Sequence, residues 1–256
     1  MSRPMTDVHR EVIARLKELR LPAVRASYRE AAQRAQQEGL GYERYLLELV
    51  DHECEVRRHH RVARYLRESQ LPLEKSVETL DLTRLPDRVV HQFRTLIEGS
   101  FVDRAENILA FGNPGSGKTH LVCAIGQELI RAGRRVYFTP CSLLVQDLLR
   151  AKQELRLAKW LKRLAKYDAL ILDDIGYVQH DRNEMEVLFT LLAERYERGS
   201  VMITSNLPFS QWERIFQDPM TTAAAIDRLV HHCIILELNI ASYRMEEAKR
   251  KEVTTE

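Results

Sequence analysis

The sequence predicts an α/β fold: a parallel five-stranded sheet built around a glycine-rich loop, preceded by a small all-helical N-terminal domain. Three observations carry this. After Glu106, five short apolar or β-branched runs alternate with helical patterns, which is how a mainly parallel sheet is encoded. The first of those runs leads into a loop of G-x-x-x-x-G-K-T form and then a helix-like stretch. The first 70 residues carry almost no strand signal.

In chain order, Val12, Leu16 and Leu19 repeat at helical spacing, and Pro22 ends that helix. A second helix covers 23–37 and is closed by Gly39 and Gly41, and a longer third runs from Tyr42 to Arg67. The stretch SQLPLEKSVETLDLTRLPD (69–87) holds two prolines and weak periodicity, so it reads as a connector before a short helix over 88–98. The expected division is therefore 1–70 helical, 71–87 connector and 88–256 sheet domain. The five strands are NILAF (107–111), RVYFT (135–139), ALILD (169–173), VMITS (201–205) and CIILEL (233–238).

Bulk properties bound the class. The chain has 256 residues, 45% hydrophobic and 30% charged, with a net charge of +2, so only local charge can speak for nucleic acid. Cys54, Cys123, Cys141 and Cys233 form no CxxC pair and suit reduced thiols. No apolar run reaches the roughly 18 residues a membrane span needs, and MSRPMTDVHREV lacks the apolar core of a signal peptide. A soluble cytoplasmic protein without a membrane partner is expected.

Residues 112–119 read GNPGSGKT, so Gly112, Asn113, Pro114, Gly115, Ser116, Gly117, Lys118 and Thr119, with His120 following, are the candidate nucleotide-binding residues. The glycines permit backbone angles and close approach that a Cβ blocks. Loop amides and the helix N-terminus then face phosphate. Lys118 supplies a point charge, and Thr119 a hydroxyl for Mg²⁺. ATP and Mg²⁺ are the expected cofactors.

Fifty-four residues past Thr119, ALILDD adds two acids. A strand adjacent to the loop strand would place Asp173 near the metal, with Asp174 polarising the attacking water. The next strand ends in Asn206, which either orients that water or senses the terminal phosphate, or is a turn residue before Leu207-Pro208.

GNPGSGKTHL, LILDDIGY, RYERGSVMITSNLPFSQW, AIDRLVHH and ASYR together resemble the IstB/DnaC group of AAA+ ATPases, and IstB-type transposition helpers most closely. LKELRLPAVRASYREAAQRA and YERYLLELVDHECEVRRHHR resemble that family's helical domain. The resemblance implies a DNA-binding ATPase that forms homo-oligomers with ATP and works with a transposase. By motif position it implies phosphate and Mg²⁺ roles for Lys118 and Thr119, the metal acid at Asp173 and a sensor at Asn206. It also places Arg228 in the segment that usually supplies an arginine to a neighbouring subunit, against the alternative of a surface pair with Asp227. Arg244, in ASYR, is a second nucleotide-sensing candidate, and Arg195 is placed at a subunit boundary. The chain departs from the family habit in one respect: many AAA+ proteins carry Asp-Glu where this one has Asp-Asp. The 18 residues after Leu238 leave no room for a full helical lid.

Residues 150–166 hold seven basic residues and one acid. Lys152, Arg156, Lys159, Arg163 and Lys166 fall on one stripe of a continuous helix, with Leu157, Leu161 and Leu164 opposite. If the helix breaks near Gln153, Arg156 to Lys166 still align. Such a stripe tracks duplex DNA without reading bases. Arg57, Arg61 and Arg64 share a second face that suits DNA or a partner subunit. The adjacent pairs His59-His60 and His231-His232 lack an acid or cysteine to complete a zinc set. The leading expectation is an ATP-hydrolysing DNA-binding transposition helper. The alternatives are a DnaC-type helicase loader, separated by which partner the helical domain grips, and a small-molecule kinase. The Asn206 strand tip, Arg228 and the helical domain weigh against the kinase.

Overall fold

A computed structural model describes residues 5–175, 182–208, 211–212, 226–227 and 229–243. The chain divides into two compact units, Met1–Arg64 and Tyr65–Glu256. No helix among the described residues is long and apolar enough to cross a membrane.

The first unit is helical: α1 (Met5–Glu18), α2 (Pro22–Glu38) and α3 (Tyr42–Ser69), the last of which continues past the division. Pro22 sits in the first turn of α2, where a missing N–H costs nothing. Gly39 closes that helix at φ 67°, its N–H donating to Ala35 O. Leu21, at the N-cap, offers no side-chain acceptor. The buried carboxylate of Glu53 on α3 supplies one instead, accepting from the Ala23 and Val24 amides at 2.8 and 3.1 Å.

The second unit opens with the stretch read as a connector, and it packs on the sheet domain. Leu71 and Leu85 are buried, a 3₁₀ turn spans Leu82–Arg84, and the Gln127 side-chain amide faces the carbonyls of Pro72, Leu73 and Lys75, the nearest at 3.0 Å. Then follow α4 (Asp87–Leu96), α5 (Ser100–Asp103), β1 (Asn107–Gly112), α6 (Lys118–Arg131), β2 (Val136–Pro140), α7 (Cys141–Gln153), α8 (Leu157–Leu164), β3 (Ala169–Asp173), α9 (Arg182–Arg195), β4 (Ser200–Ser205) and β5 (Cys233–Leu238).

The five strands are parallel, in the order β2-β3-β4-β1-β5. One expectation is corrected by this order. The acid-bearing strand β3 is not adjacent to the loop strand β1; β4 lies between them, in register Ile108↔Met202 on one side and Ile171↔Met202 on the other. The strand ending in Asn206 is beside the acid strand, as its position after ALILDD predicts. Strand alternation sends Leu170, Leu172, Val201 and Ile203 to one face, where they join Leu144 and Leu148 of α7 and Leu188 and Leu191 of α9 in a single apolar core. Because every strand runs the same way, all five C-terminal ends share one edge, the edge where open α/β sheets bind ligands.

The basic region is two helices, not one. α7 ends at Gln153, and α8 starts at Leu157. Between them Leu155 adopts φ 56°.

Candidate nucleotide site and basic groove

The loop after β1 is shaped by its neighbours. A Cβ on Gly112 would stand 2.3 Å from the Leu238 carbonyl oxygen, and one on Gly115 2.1 Å from Ser242 Oγ. Both φ values are positive, 154° and 80°, so glycine is required twice over at each position. Tyr243 N donates to Gly115 O at 3.0 Å and holds the segment after β5 against the loop.

Lys118, buried at the start of α6, donates to Gly112 O at 2.8 Å, Asn113 O at 2.9 Å and Asn206 Oδ1 at 2.7 Å. Thr119 Oγ1 donates to Asp173 Oδ1 at 2.8 Å, although β4 lies between β3 and the loop strand β1. Asn206 Nδ2 donates to Asp174 Oδ1 at 3.1 Å. Burial first, and then the neighbouring Asp173 carboxylate, raise the Asp174 carboxyl above its ordinary range, while Lys118 opposes them. The two aspartates thus have different partners: a hydroxyl of the phosphate loop for Asp173, the amide of β4 for Asp174.

Thr204 was not among the residues singled out from the sequence, yet it holds both acids. Its Oγ1 donates to Asp173 Oδ1 at 2.6 Å and accepts from Asp174 N at 2.8 Å. Asp174 has φ 61°, a left-handed conformation in which Asp and Asn are several-fold enriched. That backbone suits a short acid at this position.

A cavity of about 390 Å³ opens beside the loop. Residues 115–120 form one side; Leu80, Leu85, Ile240 and Tyr243 give it an apolar end. The Arg84 guanidinium lies 4.9 Å from the Tyr243 ring centroid. His120 Nε2 is within hydrogen-bond distance of Ser76 O (2.9 Å) and Thr79 Oγ1 (3.1 Å), so its ring faces the wall built by the connector. Ser116 Oγ is buried and has no hydrogen-bond partner among the described residues. An orphaned hydroxyl, positive-φ glycines and a lysine at a helix N-terminus form a cradle that fits a nucleotide phosphate. Thr119 and Asp173 present paired hard oxygens of the kind Mg²⁺ takes.

Other candidates settle differently. Arg195 does not face a subunit boundary. It is 4% exposed and donates to Tyr167 O at 2.7 Å, Asp168 O at 2.9 Å and Ser200 O at 3.0 Å, stitching the ends of β3 and β4. Burial pulls its guanidinium down to about 10, against the opposing pull of Asp168. A Cβ on Gly199 would meet Arg195 at 2.3 Å, which explains the glycine in RYERG. Arg228 and Arg244 lie outside the described residues.

Among the predicted phosphate-tracking residues, Lys152 is paired with Glu186 at 2.6 Å and Arg156 with Glu154. Arg163 lies over the Trp160 ring, 5.3 Å from its centroid. Arg156, Lys159 and Arg163 line one groove between α7 and α8; Lys166 lies past the end of α8. In the helical unit, Arg57 is held by Glu53 at 2.9 Å and by the Arg20 carbonyl, while Arg61 and Arg64 are exposed along α3. The acid that the sequence did not offer His231 and His232 comes from the turn after α9: ligand atoms of Glu197, His231 and His232 all lie within 4.8 Å of one another, all exposed.

Comparison with known proteins adds lineage to this geometry. The sequence profile of a family described as IstB-like ATP binding protein matches residues 14–251. An insertion-sequence ATP-binding protein of Sinorhizobium fredii is 45% identical over 239 residues, 92% of this chain and 80% of that protein. One from Geobacillus stearothermophilus is 37% identical over 234 residues, 91% of this chain and 93% of that protein. Among solved structures, the DnaC helicase loader matches with a TM-score of 0.53 at 21% identity, over 70% of this chain and 99% of its own length, a likeness of fold.

Proposed function

Because this chain belongs to the family of IstB-like ATP-binding proteins, we propose that it hydrolyses ATP, assembles with it into homo-oligomers on duplex DNA, and in that form assists the transposase of an insertion sequence. The observation that carries the catalytic part is the split of the acid pair, Asp173 to Thr119 and Asp174 to Asn206. The phosphates lie in the loop under Lys118, the base toward the apolar end of the cavity at Tyr243. Thr119 and Asp173 would hold Mg²⁺, which would offset phosphate charge when bound. Asp174 accepts a hydrogen bond from the attacking water, and Asn206 fixes the carboxylate that does so. Water adds to the terminal phosphorus, ADP leaves, and inorganic phosphate is the second product.

Arg228, from its motif, reaches the site of a neighbouring subunit, which makes hydrolysis depend on assembly. The groove residues Arg156, Lys159 and Arg163, with Lys152 and Lys166, meet the phosphate backbone. The helical unit, with Arg61 and Arg64 exposed and Arg57 bound internally, takes the contacts with DNA, transposase or a second copy. A DnaC-type loader shares the fold, so the fold does not separate the two readings; recovery of a replicative helicase, not a transposase, by the full chain would favour the loader.

The test is assembly on duplex DNA, followed by light scattering with ATP and Mg²⁺ across a salt series. ATP-dependent assembly that weakens steeply with salt is expected, and a chain that stays monomeric at low salt defeats the proposal. Lys118→Ala should weaken nucleotide binding about tenfold or more and abolish assembly. Asp174→Asn, which suits the left-handed backbone, should leave both intact while hydrolysis falls about a hundredfold. Equal loss of nucleotide affinity in the two variants would remove the separate role of Asp174.

A further inference from the structure

The joint between α7 and α8 breaks two local rules at one residue. Leu155 has φ 56° and is 95% exposed. Glycine or asparagine would close such a turn without strain, and a leucine so placed gains nothing from burial. Local rules broken without a folding benefit mark functional positions. Immediately beside this tip is a cavity of about 340 Å³ between the two helices. Trp160 lines it, half-buried against the apolar core, with the Arg163 guanidinium 5.3 Å from its ring centroid. Arg150, Arg156, Lys159 and Arg163 surround it, and the carboxylates of Asp147 and Glu154 line it as well.

We propose that this tip and cavity form a nucleobase site: Leu155 enters the base stack of a bound duplex as a wedge, and the displaced base is received against Trp160, taking the place of the Arg163 guanidinium over the ring. Apolar side chains do part base steps in this way. An unstacked base needs a flat aromatic partner, and Trp offers the largest. The cationic surround offsets the phosphates that flank the displaced nucleotide. Asp147 and Glu154 can accept from the amino edge of a base. Charge selects the occupant: residues 150–166 carry seven cations to one acid, which suits a polyanion better than an apolar protein surface. The inference rests on the DNA-binding reading above and adds to it the form in which DNA is held.

The test compares a matched duplex with the same duplex carrying one mismatched pair, using the full chain with ATP and Mg²⁺ at low salt. A mismatch lowers the cost of unstacking. The wild-type chain should bind the mismatched duplex about tenfold more tightly. Leu155→Gly relieves the backbone strain, so its Tm should not fall, yet the preference should vanish while matched-duplex affinity stays within about threefold. Trp160→Leu should also lose the preference, and Trp160→Phe should keep most of it. Equal affinity of the wild type for the two duplexes overturns the site. So does a preference that survives both Leu155→Gly and Trp160→Leu, or a Leu155→Gly chain that fails only in self-assembly, which would assign the tip to a second copy. No binding of the wild type to either duplex would defeat the DNA reading itself, a result distinct from binding without preference.

Discussion

Thr204 joins both aspartates to one hydroxyl, donating to the Asp173 carboxylate and accepting from the Asp174 amide. Thr204→Val keeps the shape and removes both bonds. Hydrogen bonds to charged groups contribute about 1.5–3 kcal/mol, so hydrolysis should fall about tenfold or more with ATP affinity nearly unchanged; a rate equal to wild type would mean the acids are positioned without it. Arg195 presents the opposite case, a residue whose sequence neighbourhood suggested a functional edge and whose surroundings are structural. Arg195→Ala strips three close backbone carbonyls of a donor and should cost about 3 kcal/mol or more, read as a drop in Tm. An arginine acting on a neighbouring subunit would instead lose hydrolysis at constant Tm. At this scale the sequence was legible where a motif is contiguous, as in GNPGSGKT, and silent where a role comes from strands meeting: nothing in VMITSN marks the threonine above its neighbours.

Among elements, α2 depends on a distant cap. Its N-terminal amides are satisfied by Glu53 of α3, thirty residues on, and the same carboxylate holds Arg57. Burial raises the Glu53 carboxyl, but the Arg57 hydrogen bond and the two amides outweigh it, and the net shift is downward from 4.5. A carboxyl lowered on folding contributes stability that is present above its unfolded value and lost as pH falls through the folded one. Acid titration of the full chain by circular dichroism should therefore show loss of helix at pH below about 4.5, and Glu53→Gln should flatten that part of the profile while lowering stability at pH 7 by about 1–3 kcal/mol. A profile unchanged by Glu53→Gln would remove the cap from the account. The helix boundaries of this unit were readable from Pro22, Gly39 and Gly41; the cap was not, because Leu21 gives no local acceptor and the partner is remote. The part the connector plays was hidden for a related reason. Its prolines and weak periodicity do describe an irregular chain, but they do not reveal that its carbonyls face Gln127 and that it walls the nucleotide cavity.

In the whole molecule, the strands were legible because each is a short apolar run, and the parallel sheet followed from their alternation with helices. Their lateral order was not, since pairing is decided by which faces bury together and not by adjacency in sequence. The insertion of β4 between β1 and β3 has its own result. It aligns Asp174, Asn206, Lys118 and Gly112 in one hydrogen-bonded row across three strands. Lys118 donates to Gly112, Asn113 and Asn206, so a phosphate arriving at the ammonium would compete with those acceptors. Asn206 also donates to Asp174, which leaves the cation of the loop and the acid of the neighbouring strand held by a single amide.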